Sequence, residues 1–96
     1  YCRVMANWMA EGEFRSGCPI ATTLLENAPQ SPAITRAGIE AIDGWIEVAA
    51  GVFGRVEAPA RARTRAQLLV SSIEGALLLA RVRQSRRPIL DVARLF

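Results

Sequence analysis

SSIEGALLLARV, Ser71 to Val82, is apolar on almost every side of a helix and still carries two hydroxyls, a carboxylate and a glycine. A membrane span, a catalytic dyad, a core helix and a subunit interface are the candidate explanations. A span needs about 20 apolar residues nearly free of charge, whereas the apolar window here opens only at Ala66 and contains Gln67 and Glu74. A serine nucleophile at Ser71 or Ser72 needs a base, and without histidine only Glu74 and distant arginines are on offer. Both explanations fall away.

A core helix accounts for the leucines and leaves a remainder. At about 100° per residue, Leu68, Ser72, Gly75, Leu79 and Val82 form one strip, and Leu69, Ile73, Ala76, Leu77 and Ala80 form a second beside it. Two apolar strips require two partners. One is expected to be an amphipathic helix of the same chain; a chain of 96 residues has little else to cover the other, so a neighbouring subunit is expected there. Ser71, Ser72, Gly75 and Ala76 lower the helix surface and admit another backbone, which offsets the roughly 1 kcal/mol that a mid-helix glycine costs against alanine. An intrachain aromatic such as Trp45 seated on Gly75 is the alternative. For Glu74, an ion pair with an arginine such as Arg81 or Arg36, or a hydrogen bond, is expected, because an unpaired buried carboxylate is costly.

Outward from this stretch, proline and glycine punctuate a helical pattern. Tyr1 to Glu13 carries Val4, Met5, Trp8 and Met9 at helical spacing and stops at Gly12. Ser16, Gly17 and Pro19 break the pattern, and Pro19 opens a short helix to Ala28. Ser31 caps the helix that Pro32 begins, and Ile39, Ile42, Ile46, Ala49 and Phe53 give that helix an apolar stripe as far as about Gly54. Pro59 starts a second long helix to Gln84, about 39 Å in length. Pro88 opens a last one bearing Ile89, Val92, Ala93 and Phe96. No segment alternates with period two and no hairpin turn or repeat is visible, so one all-α domain over residues 1–96, a bundle of about five helices, is expected.

Composition narrows the function. The apolar fraction of 51% suits a folded domain, since globular chains run at roughly 45–50%. The net charge of +3 comes from twelve arginines against nine acidic residues, and the arginines are spread out, whereas phosphate-backbone binding gathers them on one face. Nucleic-acid contact through Arg61, Arg63, Arg65, Arg81, Arg83, Arg86 and Arg87 is therefore a weak alternative. Cys2 and Cys18, with no histidine, indicate neither a disulfide framework nor a metal site, and a reducing, cytoplasmic setting follows. No signal peptide is visible, and the opening YCRVMANWM reads as a chain cut from something longer. Neither enzyme chemistry nor a cofactor is expected.

Gly17-Cys18-Pro19, the SPAI segment from Ser31 to Ile34, the helix bearing Trp45, and Glu74 to Arg81 (EGALLLAR) followed by a Pro-Ile-Leu helix together resemble the C-terminal domain of TetR-type transcriptional repressors, most of all the LmrA/YxaF-like branch. The resemblance runs from about Phe14 onward. It implies an all-α effector-binding and dimerisation domain, normally fused behind a helix-turn-helix domain that is expected to be absent from this chain, so that operator DNA would be met only through that missing part. It also implies a homodimer through the last helices, with Leu68, Ser72, Gly75, Ala76, Leu79, Val82, Ile89, Val92 and Phe96 at the two-fold axis, and no membrane partner. A small hydrophobic effector is implied, in an apolar cavity whose candidate residues are Met5, Trp8, Met9, Phe14, Leu24, Ile42, Trp45, Ile46, Ala49, Leu69 and Ile73. Cys18 lies near a helix start, where amide N–H groups would somewhat acidify its thiol; the expected role is that of a small packed hydrophobe, with a redox or covalent sensor as the alternative.

Overall fold

The computed structural model describes Val4, Ala6, Asn7, Glu11, Gly12 and residues 18–96. Val4, Ala6, Asn7 and Glu11 are helical. The rest of the expected first helix, with Met5, Trp8 and Met9, lies outside the described residues, as does Phe14. Four helices follow: α1 (Pro19–Asn27), α2 (Pro32–Phe53), α3 (Pro59–Arg83) and α4 (Arg87–Leu95). Every regular element among the described residues is helical.

The boundaries arise from local chemistry. Ser31 is extended and its side chain accepts from the Ile34 N–H at 3.4 Å, with Pro32 opening the first turn of α2; this satisfies one of the donors that every helix start leaves unpaired. At the other end, Gly54 donates its N–H to the Ala50 carbonyl at 2.8 Å. Helix α3 ends on Gln84, whose φ of 51° takes the left-handed conformation usually held by glycine. There the Ser85 N–H returns to the Ala80 carbonyl at 3.1 Å, the six-to-one closure that occupies a loose carbonyl at a helix end. Ser85 Oγ then accepts the Arg87 N–H at 3.1 Å, so α4 starts at Arg87, one residue before the expected Pro88.

The chain divides into two compact units, one of Thr22–Ser71 and the other of Ser72–Phe96 with Tyr1–Ala21. In the first, Gly38, Ile46, Ala62 and Ala66 are buried. Arg63 is paired with Glu47. Arg65 sits 5.1 Å above the Phe53 ring while its Nη1 lies 2.7 Å from Glu57, so one guanidinium fastens the end of α2 and the following turn to α3. Glu57 is largely buried, and its Oε2 has no hydrogen-bond partner among the described residues.

Gly38 is required by contact. A Cβ there would stand 2.8 Å from both Cδ1 and Cγ of Leu24, so α1 lies against α2 where glycine lowers the surface. Gly38→Ala should lower stability by about 1–3 kcal/mol through this overlap, even though alanine is the better helix former. Gly44→Ala, with nothing within 4 Å of the added carbon, should raise it by about 0.5–1 kcal/mol. Thermal unfolding of the two variants checks the opposite signs.

The second unit is built on Ala6, Ala76, Leu77, Ala80 and Ile89, with Cys18, Ile73, Leu90 and Val92 packed against them. One of the two strips of α3 is thus covered. Within this unit its cover is α4 together with Ala6 and Cys18. Ile89 decides this, because it is fully buried and closes the cluster.

Candidate functional site

The other strip of α3 stays open. Leu68, Leu79 and Val82 are 55%, 43% and 72% exposed, Gly75 is exposed and Ser72 half-buried. Among the described residues nothing lies within 4 Å of the position a Cβ on Gly75 would take. Ser71, on the neighbouring line, returns its hydroxyl to the Gln67 carbonyl at 2.9 Å. A hydroxyl satisfied by its own helix is compatible with an apolar setting.

This strip is one wall of a groove of about 470 Å³. Ser72, Gly75, Ala76 and Leu79 come from α3, and Pro88, Asp91 and Val92 from α4, with Arg83, Ser85 and Arg87 at the turn between them. Five of the nine residues expected at the two-fold axis, Ser72, Gly75, Ala76, Leu79 and Val92, therefore line one concavity. Phe96 remains partly exposed and Ala76 is nearly covered, whereas Ile89 belongs wholly to the unit's own core and supports the groove from behind. The rim was missed in the sequence: Arg87 and Asp91, whose Nε and Oδ1 are 3.0 Å apart, stand four residues apart on α4, a spacing that can be read directly.

The expected effector residues are dispersed. Ile42, Ile46 and Ala49 share the inward face of α2, with Ile46 buried and the others half-buried; Trp45 beside them is 40% exposed. Leu24 lies over Gly38, Leu69 is half-buried in the same unit, and Ile73 joins the core of the other unit. Among the described residues no cluster of metal-ligating side chains occurs.

Glu74 reaches the Cys18 thiol through a side-chain hydrogen bond, one of the two kinds of partner expected for it. Burial pushes the Cys18 pKa up; the Ala21 and Ile20 N–H groups pull it down, and the hydrogen bond and charge of Glu74 raise it again. The net direction is upward, so the acidification expected from the helix start is outweighed. A raised thiol pKa means that the stabilisation is complete below the unfolded-state pKa and is lost as the pH rises through the folded-state value. Alkylation of Cys18, followed by mass spectrometry of its peptide, should accordingly run several-fold slower than in the unfolded chain at pH 8 and accelerate in Glu74→Gln. Equal rates in folded and unfolded chain would contradict this.

Arg63 and Arg65 are engaged with Glu47 and Glu57, and Arg87 with Asp91, which weakens the phosphate-binding alternative. No helix among the described residues is long and apolar enough to cross a membrane.

Residues 1–95 match the family of the transcriptional regulator LmrA/YxaF-like C-terminal domain. The chain belongs to this TetR-type family. Two relatives, both bearing the name uncharacterized HTH-type transcriptional regulator, come from Mycobacterium tuberculosis strains CDC 1551 / Oshkosh and ATCC 25618 / H37Rv. Each is 38% identical over 84 residues, covering 80% of this chain and 43% of the relative. The chain thus spans less than half the length of these curated relatives. No solved structure gives a significant match. The family is one of transcriptional regulators, not of enzymes, and its C-terminal domain is all-α here.

Proposed function

We propose that this chain is the dimerising and effector-sensing part of a cytoplasmic TetR-type repressor. The observation that carries the reading is the open strip Leu68, Ser72, Gly75, Leu79 and Val82, on a helix whose other strip is already covered. A second copy, related by a two-fold axis, presents the same strip and the α4 groove in return, which is the self-complementary arrangement of an isologous interface. A buried glycine at such a crossing lets two helix axes approach to about 8 Å.

Sensing would work by population shift. A small hydrophobic molecule held among Leu24, Ile42, Trp45, Ile46, Ala49 and Leu69 favours one arrangement of the helix pair. It changes the separation of DNA-binding heads supplied by the longer protein by no more than its differential affinity for the two states. Support comes from the family and from the half-open environment of Trp45 beside Ile42 and Ala49.

A helical oligomerisation module without a pocket is the competing reading. Titration with apolar molecules of increasing size separates the two. A saturable change in tryptophan fluorescence, removed by Ile46→Trp through filling of the α2 face, is the expected result. Unresponsive fluorescence throughout the series would leave only the oligomerisation module.

A further inference from the structure

We infer that the flank of α4 turned away from the proposed dimer groove binds a small amphipathic oxyanion, a carboxylate or phosphate head on an apolar tail. At about 100° per residue, Ile89 points α4 into the core, Pro88, Asp91 and Val92 fall toward one side, and Leu90, Ala93 and Arg94 toward the other. The first side is the groove described above. The second lines a separate concavity of about 490 Å³ together with Arg86 and Asn7.

Its chemistry has two halves. Leu90 and Ala93 supply an apolar floor, while Arg86 and Arg94 supply two guanidinium groups, and among the described residues no carboxylate lines it. Arg86 Nη1 donates to the neutral Oδ1 of Asn7, which orients the guanidinium without cancelling its charge. Arg94 reaches the Asp91 Oδ1 only at 3.9 Å, and both side chains are more than half exposed, so this pairing holds it weakly. Two planar guanidinium forks suit an oxyanion, and the volume lies within the range of ordinary small-molecule sites, roughly 300–1,000 Å³. A polar anion alone would leave the Leu90 and Ala93 surface wet. A neutral apolar molecule would leave Arg86 with only the neutral Asn7 and Arg94 with only the distant Asp91 carboxylate, so the two halves together select an amphiphile. The site does not depend on the dimer reading, since it uses the opposite flank of the helix.

The test is calorimetric titration of the intact chain with decanoate, decyl phosphate, decanol and inorganic phosphate. Saturable binding of decanoate or decyl phosphate is expected, about ten-fold or more tighter than decanol or inorganic phosphate, and the better of the two names the head group. The doubly substituted Arg86→Gln/Arg94→Gln chain should lose at least about ten-fold in affinity for the anions. Ala93→Trp, which keeps both charges and fills the floor, should abolish binding; circular dichroism confirms that each variant is folded, and this second variant decides if the first is not. Decanol binding as tightly as decanoate, inorganic phosphate binding as tightly as decyl phosphate, or anion binding that survives both substitutions would each overturn the inference.

Discussion

Gly75→Leu is expected to leave the helix standing and take the dimer apart. Within one chain the leucine has room, because among the described residues no atom lies within 4 Å of the first carbon it adds, and in an exposed helix interior leucine is favoured over glycine by about 0.8 kcal/mol. The isolated subunit should therefore be slightly more stable. At a two-fold interface the change enters twice, and overpacking costs about 1–3 kcal/mol per site, or about 2–6 kcal/mol for the pair. That weakens association by at least about 30-fold. Circular dichroism and sedimentation of the same sample read the two effects separately: a fully helical chain whose dimer dissociates at higher concentration than wild type. A Gly75→Leu chain that is folded and as dimeric as wild type would remove Gly75 from the interface.

Ile89→Ala is the opposite case, a substitution expected to damage the subunit itself. Ile89 is fully buried at the centre of the cluster formed with Ala6, Ala76, Leu77 and Ala80, and four of these five are alanine or leucine with little side chain to move into a void. Truncating such an isoleucine costs about 2–5 kcal/mol, a large part of the roughly 5–15 kcal/mol that holds a domain together. Helix α4 has nine residues, and helices shorter than about 12–15 residues are marginal without tertiary contacts. Its amides should consequently exchange early, and both grooves that it lines should be lost with it. Urea unfolding with a fall of less than about 1 kcal/mol would show that α4 is held by something other than Ile89.

The helices were legible because proline, serine and glycine mark their ends: Ser31 and Pro32 begin α2 where the pattern places them, and α3 closes within a residue of Gln84. The two-strip reading of α3 was also legible, since periodicity separates Leu79 from Leu77 by two wheel positions, and exposure separates them in the same sense. Partners were harder. The cover for Ala76, Leu77 and Ala80 came from α4, because periodicity tells which face is apolar and says nothing of which helix meets it. Cys18 and Glu74 lie 56 positions apart in sequence and no pattern links them; the packing of Cys18 as a small hydrophobe was legible, its meeting with Glu74 was not. Arg65 over Phe53, closing on Glu57, likewise depends on how a turn folds back. The effector residues remain the least determined by pattern, since each is an ordinary apolar position on a helix that also has a core to build.

Sedimentation equilibrium of the wild-type chain over a micromolar concentration range tests the account most directly. A single species of twice the 10.5 kDa chain mass, dissociating only on dilution, is what an uncovered Leu68–Val82 strip requires. A well-folded species of one chain mass across that whole range, with the strip in water, would contradict it.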